Sequence, residues 1–271
     1  MSDGCRRERQ ADEDKITRRN QTKDQLVNIL LDDDPQLIVN SLLDALSQGA
    51  TEEELASIVA YAAAIRIVQF HTRNEFGDWD AVLHTFTYTN AVHQGLRRIA
   101  TQELLRGVFD GAMRVYLNRF LNVPSVPLPK PTRKIEGKSS SRSTFKDPEI
   151  LLKEELLSLL DKQQQVNQAG QLVVDHFYNN NGNQDQLLTA IGKALLREDR
   201  NFHSIQMIEA AFRQYSLLST GRNNNENGNM TRALLLVAAA RYIAAHSPTM
   251  RSQGHTYQIA NQLYHGEHLF E

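Results

Sequence analysis

The chain has very little cysteine: Cys5 is the only one in 271 residues. That excludes disulfide staples, thiolate-held zinc and cysteine-held iron–sulfur clusters built within one chain. No run of about 18 apolar residues occurs, so no membrane span is expected. The opening stretch MSDGCRRERQADEDK lacks an apolar segment, which predicts no secretory leader and a cytoplasmic protein. Neither charge sign dominates. Thirty Lys and Arg stand against 32 Asp and Glu, interspersed, so no basic footprint for nucleic acid exists. Phosphate-cradling glycine loops, nucleophile elbows and H-E-x-x-H are also missing.

Helical periodicity fills what remains, and strand signals are weak throughout. The fold class expected is all-α, a helical bundle. Residues 1–23 are charged and read as a disordered arm. The first helical half spans 24–123. Within it, Thr51-Glu-Glu-Glu54 has the form of a capping box and opens LASIVAYAAAIRIVQF, apolar nearly all round and hence central to the core. A break is expected at Gly77, with a new helix from Asp78 or Asp80 to about Arg98. Four prolines between Pro124 and Pro131, followed by KIEGKSSSRS, make 124–147 a flexible linker. The second half, 148–271, carries helices at about 148–161, 163–178, 184–196, 199–218, 230–246 and 252–271.

The halves have an internal echo. DAVLHT at 80–85 and DRNFHS at 199–204 both place Asp four residues before His and a hydroxyl residue after it. Arg114 follows the first block and Arg241 the second. An internal duplication would make His84 and His203 equivalent, both buried and facing one another across the core.

Chemistry-bearing residues concentrate in FHTRNEFGDWDAVLHTFTYTNAVHQGLRR, residues 70–98. His71 and Glu75 are four apart, one turn of helix, a spacing that suits a ligand pair for iron, manganese or zinc. His84 and His93 are nine apart and point in opposite directions, so they do not serve one site. In the second half, Glu209 shares a helical face with Phe202 and Phe212. A carboxylate there is costly unless paired or bound to metal. The metal candidates are therefore His71, Glu75, His84, His203 and Glu209, with His84 and His203 as the catalytic pair. Trp79 and Tyr88 are expected to wall a cofactor or substrate pocket.

The 70–98 stretch, with NFHSIQMIEAAFRQY and AAARYIAAHSPT, resembles a bacterial helical domain often joined to a Rieske-type two-iron, two-sulfur module. The resemblance covers most of 37–265. It implies a redox metal as electron acceptor and, since this chain has no cluster motif, a separate Rieske-type or ferredoxin donor. GATEEELASIVAYAAA is also similar to the carboxymuconolactone decarboxylase and alkyl hydroperoxidase D superfamily, although the C-x-x-C of those peroxidases is missing. Taken together, these features lead us to expect a metal-dependent oxidoreductase with non-haem iron acting on a small organic substrate. Non-covalent haem on His84 or His203, and a non-catalytic helical scaffold, are the alternatives. A homodimer is left open.

Overall fold

The computed structural model describes residues 23–132, 148–179, 184–219 and 226–266. Among the described residues there are helices and no strand, and none of the helices is long and apolar enough to cross a membrane. In chain order they are α1 (23–30), α2 (Pro35–Ser47), α3 (Glu52–Val68), α4 (Phe76–Leu96) and α5 (Gln102–Leu117), with a short 3-10 turn, Asn118–Leu121. Then follow α6 (Pro148–Leu160), α7 (Val166–Asn179), α8 (Gln184–Arg197), α9 (Phe202–Ser219), α10 (Glu226–Ala245) and α11 (Ser252–Tyr264).

The core is built on two helices that are apolar on every side. α3 begins at the capping box read from the sequence: Glu54 N–H donates to Thr51 Oγ1 and Thr51 N–H to the Glu54 carboxylate. Twelve of its seventeen residues are buried, too many for one face, so α3 must be surrounded. It packs on α4, α5 and α10. α10 does the same for the second half, lying against α7, α9 and α3 with the run Ala233–Ala240 fully enclosed. Small alanine side chains let these axes approach closely, and the apolar surface removed from water supplies most of the stabilisation.

Two buried arginines fasten the ends. Arg66 donates to Val115 O (3.1 Å) and Leu31 O (2.9 Å). Arg241, 2 % exposed, reaches from α10 to Phe70 O and Ile67 O at the end of α3, where unsatisfied carbonyls and the negative end of the helix dipole attract a cation. Burial pulls both guanidinium groups down to about 10, still fully charged at neutral pH. The halves are joined a second time where α4 packs on α9. There Gln214 Nε2 donates to Asn90 Oδ1 (2.8 Å) and the same amide meets buried His93 Nδ1. The two halves thus share one core.

Three expectations change. No break occurs at Gly77: α4 starts at Phe76, and Glu75 takes the N-cap, its N–H bonded to the Asp78 carboxylate at 3.2 Å. The first part of the expected linker is pinned, because Val126 N–H donates to Gln69 O, Gln171 to Lys130 O and Thr132 N–H to Asp175. Nor are the echoed arginines alike, since Arg114 is exposed over the Tyr88 ring while Arg241 is enclosed. The arm (1–22), residues 133–147 and the tail past Gly266 lie outside the described residues.

Candidate functional site

Three helices bring imidazole and carboxylate together. On α4, Asp80 and His84 are one turn apart and share a face. α9 opens with a reciprocal cap: Ser204 N–H donates to Asn201 Oδ1 (2.9 Å) and Asn201 N–H to Ser204 Oγ (3.1 Å). That fixes His203 in its first turn. α10 contributes Tyr242 and, one turn later at its end, His246.

The geometry centres on Asp80. Its Oδ1 accepts from the Tyr242 hydroxyl at 2.7 Å. Its Oδ2 stands 3.6 Å from His203 Nδ1, and its Oδ1 stands 3.8 Å from His246 Nε2. The His84 and His203 rings lie 5.0 Å apart between centres. Burial, and then the neighbouring Asp80 carboxylate, push the Tyr242 phenol well above its ordinary range, so it remains a donor. His246 has the opposite response: burial holds its imidazole below the usual histidine value, favouring the neutral form. Its Nδ1 is 2.8 Å from Tyr242 O, an acceptor, so Nδ1 carries the hydrogen and Nε2 keeps a lone pair. That buried Nε2 has no hydrogen-bond partner.

His246 also sits between two clefts. One, of about 210 Å³, is lined by Phe76, Tyr242, Ser204 and the Asp199–Asn201 turn. The other, about 620 Å³, runs past Arg73, Glu75, Phe76, Trp79 and Gln164. Phe76, 65 % exposed, borders both and stacks at 5.3 Å on the His246 ring. Gln164 holds a left-handed backbone (φ 63), an uncommon state for a non-glycine residue, at the wall of the larger cleft.

Of the residues expected from sequence, His84 and His203 do meet, but at the protein's edge. His84 is exposed and His203 half-buried, whereas both were expected in the core. Glu209 does not join them. It faces solvent and its Oε1 accepts from both Nε and Nη2 of Arg213 one turn along, at 3.0 and 2.9 Å, so its charge needs no metal. Glu75 is spent as the cap residue of α4, though it borders the larger cleft. His71 precedes α4 rather than sharing a helical turn with Glu75, and its Nδ1 accepts from Arg73 N–H at 3.1 Å. Trp79 does line the larger cleft, 2 % exposed and edge-on to Phe70. Tyr88 instead packs toward α5, with the Arg114 guanidinium 5.1 Å over its ring.

Asp80, Tyr242 and His246 were missed as site residues. The spacing of Asp80 to His84 was visible, but Asp80 looked like a cap. In fact Glu75 is the N-cap and Asp78 its partner within the helix, bonded back to the Glu75 N–H, which leaves Asp80 outside the cap. His246 looked like an ordinary helix end, and only the tertiary approach of α10 to α4 gives it a role. As the side chains stand, no three His, Cys, Asp or Glu among the described residues are arranged to hold a metal ion. Comparison with protein-family models, curated proteins and solved structures finds no match to this chain.

Proposed function

We propose that the protein is a metal-dependent oxidoreductase in which His84, His203, His246 and Asp80 hold a non-haem iron. It acts on a small organic substrate in the adjoining clefts and takes electrons from a separate Rieske-type or ferredoxin protein. The observation that carries the reading is the approach of two imidazoles, His203 from α9 and His246 from the end of α10, to within 3.6 and 3.8 Å of the Asp80 carboxylate on α4, with the His84 ring 5.0 Å from that of His203. Imidazole with carboxylate is the donor set that suits iron, manganese and zinc. With metal–nitrogen bonds of ~2.0–2.1 Å, two imidazoles on one ion have ring centres roughly 5 Å apart, the separation of His84 and His203. The unpartnered His246 lone pair is a ligand in waiting, and its Nδ1 is already fixed by a backbone carbonyl, as metal-bound imidazoles usually are. The Tyr242 hydroxyl would orient Asp80 in the same outer-shell manner. Exposed His84 is free to rotate and close the set.

Iron, when bound, supplies oxygen activation. The chain's own contribution is to bind, orient and shelter: Trp79 and Phe76 offer apolar walls, and Arg73 and Gln164 offer polar anchors at the cleft. The haem alternative is less well supported, because an axial imidazole must face an apolar slot, whereas His84 and His203 face each other. A metal-free reading has one observation in its favour: neutral His246 beside a cleft could itself accept a proton.

The test uses protein without a polyhistidine tag, loaded with ferrous iron under argon. The expected result is about one iron per chain with no Soret band, and oxygen uptake that needs both iron and a reductant. Iron-free protein after loading would overturn the metal reading. Turnover without metal that is lost in His246→Gln would install the proton-transfer reading instead.

A further inference from the structure

The larger cleft beside His246, about 620 Å³, has the size of a small-molecule site, and its charges form a pattern of their own. Two fully charged side chains line it, Arg73 and Glu75, two residues apart in the segment that leads into α4. His246, the third titratable group on its wall, is held toward the neutral form by burial. The cleft therefore carries one cation, one anion and no net charge.

Neither charge is consumed within the chain. Arg73 is tied only through its backbone N–H, to His71 Nδ1, and its guanidinium pairs with no carboxylate among the described residues, Glu75 included. The Glu75 carboxylate takes the Asp78 N–H as the cap of α4, which leaves its charge without a cationic partner among the described residues. Beside these two the wall is apolar: Phe76 stands 65 % exposed, with Val166 and the buried Trp79 on the same cleft. A simple anion that reached Arg73 would be opposed by Glu75, and a simple amine on Glu75 would be opposed by Arg73. A ligand that brings one charge of each sign satisfies both, and an apolar side chain on it covers Phe76.

We propose that this cleft binds a zwitterionic α-amino acid with a ring-sized apolar side chain. Its carboxylate lies on Arg73, its ammonium on Glu75 and its side chain along Phe76 and Trp79. The assignment rests on the reading that substrate occupies the clefts beside the iron site, and it names the substrate class. A planar guanidinium grips a carboxylate through two parallel hydrogen bonds. The amides of Gln163 and Gln164, from the turn between α6 and α7, line the same cleft and can donate to that carboxylate or accept from the ammonium.

The experiment titrates the metal-free full chain with L-phenylalanine, 3-phenylpropionate and phenethylamine by calorimetry. The emission of Trp79, the only tryptophan, reports whether the ligand enters this cleft. L-Phenylalanine is expected to bind saturably and to shift that emission, with each singly charged analogue weaker by about three- to tenfold. In Arg73→Gln, L-phenylalanine should fall to the affinity of phenethylamine. In Glu75→Gln, whose amide can still cap the helix, it should fall to that of 3-phenylpropionate. No binding of L-phenylalanine at about 10 mM overturns the proposal. So does 3-phenylpropionate that binds as tightly as the amino acid, which would make the cleft an anion site, and so does an affinity that either variant leaves unchanged. The titration contains no metal, so its outcome is separate from that of iron loading. Binding in a chain that takes up no iron would keep the amino-acid site and dismiss the oxidoreductase reading; stoichiometric iron without L-phenylalanine binding would do the reverse.

Discussion

Arg241 and Glu209 show how differently two charged side chains are held. Arg241 lies inside, feeding the carbonyls of Phe70 and Ile67. Arg241→Met leaves those acceptors without a donor, and we expect a loss of about 1–3 kcal/mol, read from urea or thermal denaturation. Glu209→Ala removes only an exposed pair on Arg213, and a change below about 1 kcal/mol is expected. Comparable losses from the two would contradict the assignment of burial. His93, 3 % exposed, adds a pH term. Burial lowers its affinity for a proton, while the unfolded chain titrates near the ordinary 6.5. The unfolded state therefore takes up the proton first. Stability conferred by neutral His93 is complete above pH 6.5 and falls as the pH drops toward the folded value. His93→Gln, which keeps an amide partner for Gln214, should flatten that acid slope; an unchanged slope would show that His93 is not its source.

Among the elements, close approach is what α5 needs. At Gly111 an added Cβ would lie 2.7 Å from Thr89 Cγ2 and 3.3 Å from Val59 Cγ1, in the wedge between α5, α4 and α3. Both neighbours are buried β-branched side chains that cannot swing away. Gly111→Ala should cost about 1–3 kcal/mol through overpacking. Gly192, inside α8, meets nothing within 4 Å. Gly192→Ala should stabilise by about 0.5–1 kcal/mol through backbone entropy alone. Chemical denaturation of the two variants decides this, and equal signs would mean that α5 does not approach α4 and α3 as closely as described.

For the whole molecule, sequence reasoning reached further into the fold than into the site. The capping box at Thr51, the apolar circumference of α3 and the polarity of the connections are local signals, and local signals survive in one dimension. α4 started two residues early because Glu75, not Asp78, became the N-cap. Both are acids near a helix start, and residue type alone does not choose between them; in the structure Asp78 sits in the first turn and bonds back to the Glu75 N–H. The matched D-x-x-x-H blocks singled out His84 and His203 but not their place: both were expected buried, whereas they meet at the protein's edge with His84 exposed. The place of Glu209 was not legible either, because periodicity gave it the face of Phe202 and Phe212, while Phe202 itself proved 62 % exposed. Asp80, Tyr242 and His246 become a site only when side chains at the end of α10 reach Asp80 on α4, a contact across some 160 residues that no spacing encodes. The packing of α10 on α3 and of α9 on α4 makes the two halves one cooperative unit, so a single thermal transition is expected and two resolved transitions would contradict the shared core.

The central claim is that α4, α9 and α10 converge on one metal ion, and cobalt(II) titration tests it most directly. Cobalt takes the same nitrogen and oxygen donors, does not require oxygen-free handling of the product, and reports low coordination number by intense visible bands. The account predicts bands that saturate at about one equivalent per chain and are lost in His203→Ala and in Asp80→Asn, with helicity retained. Wild type that develops no band, or bands that persist in both variants, would contradict it.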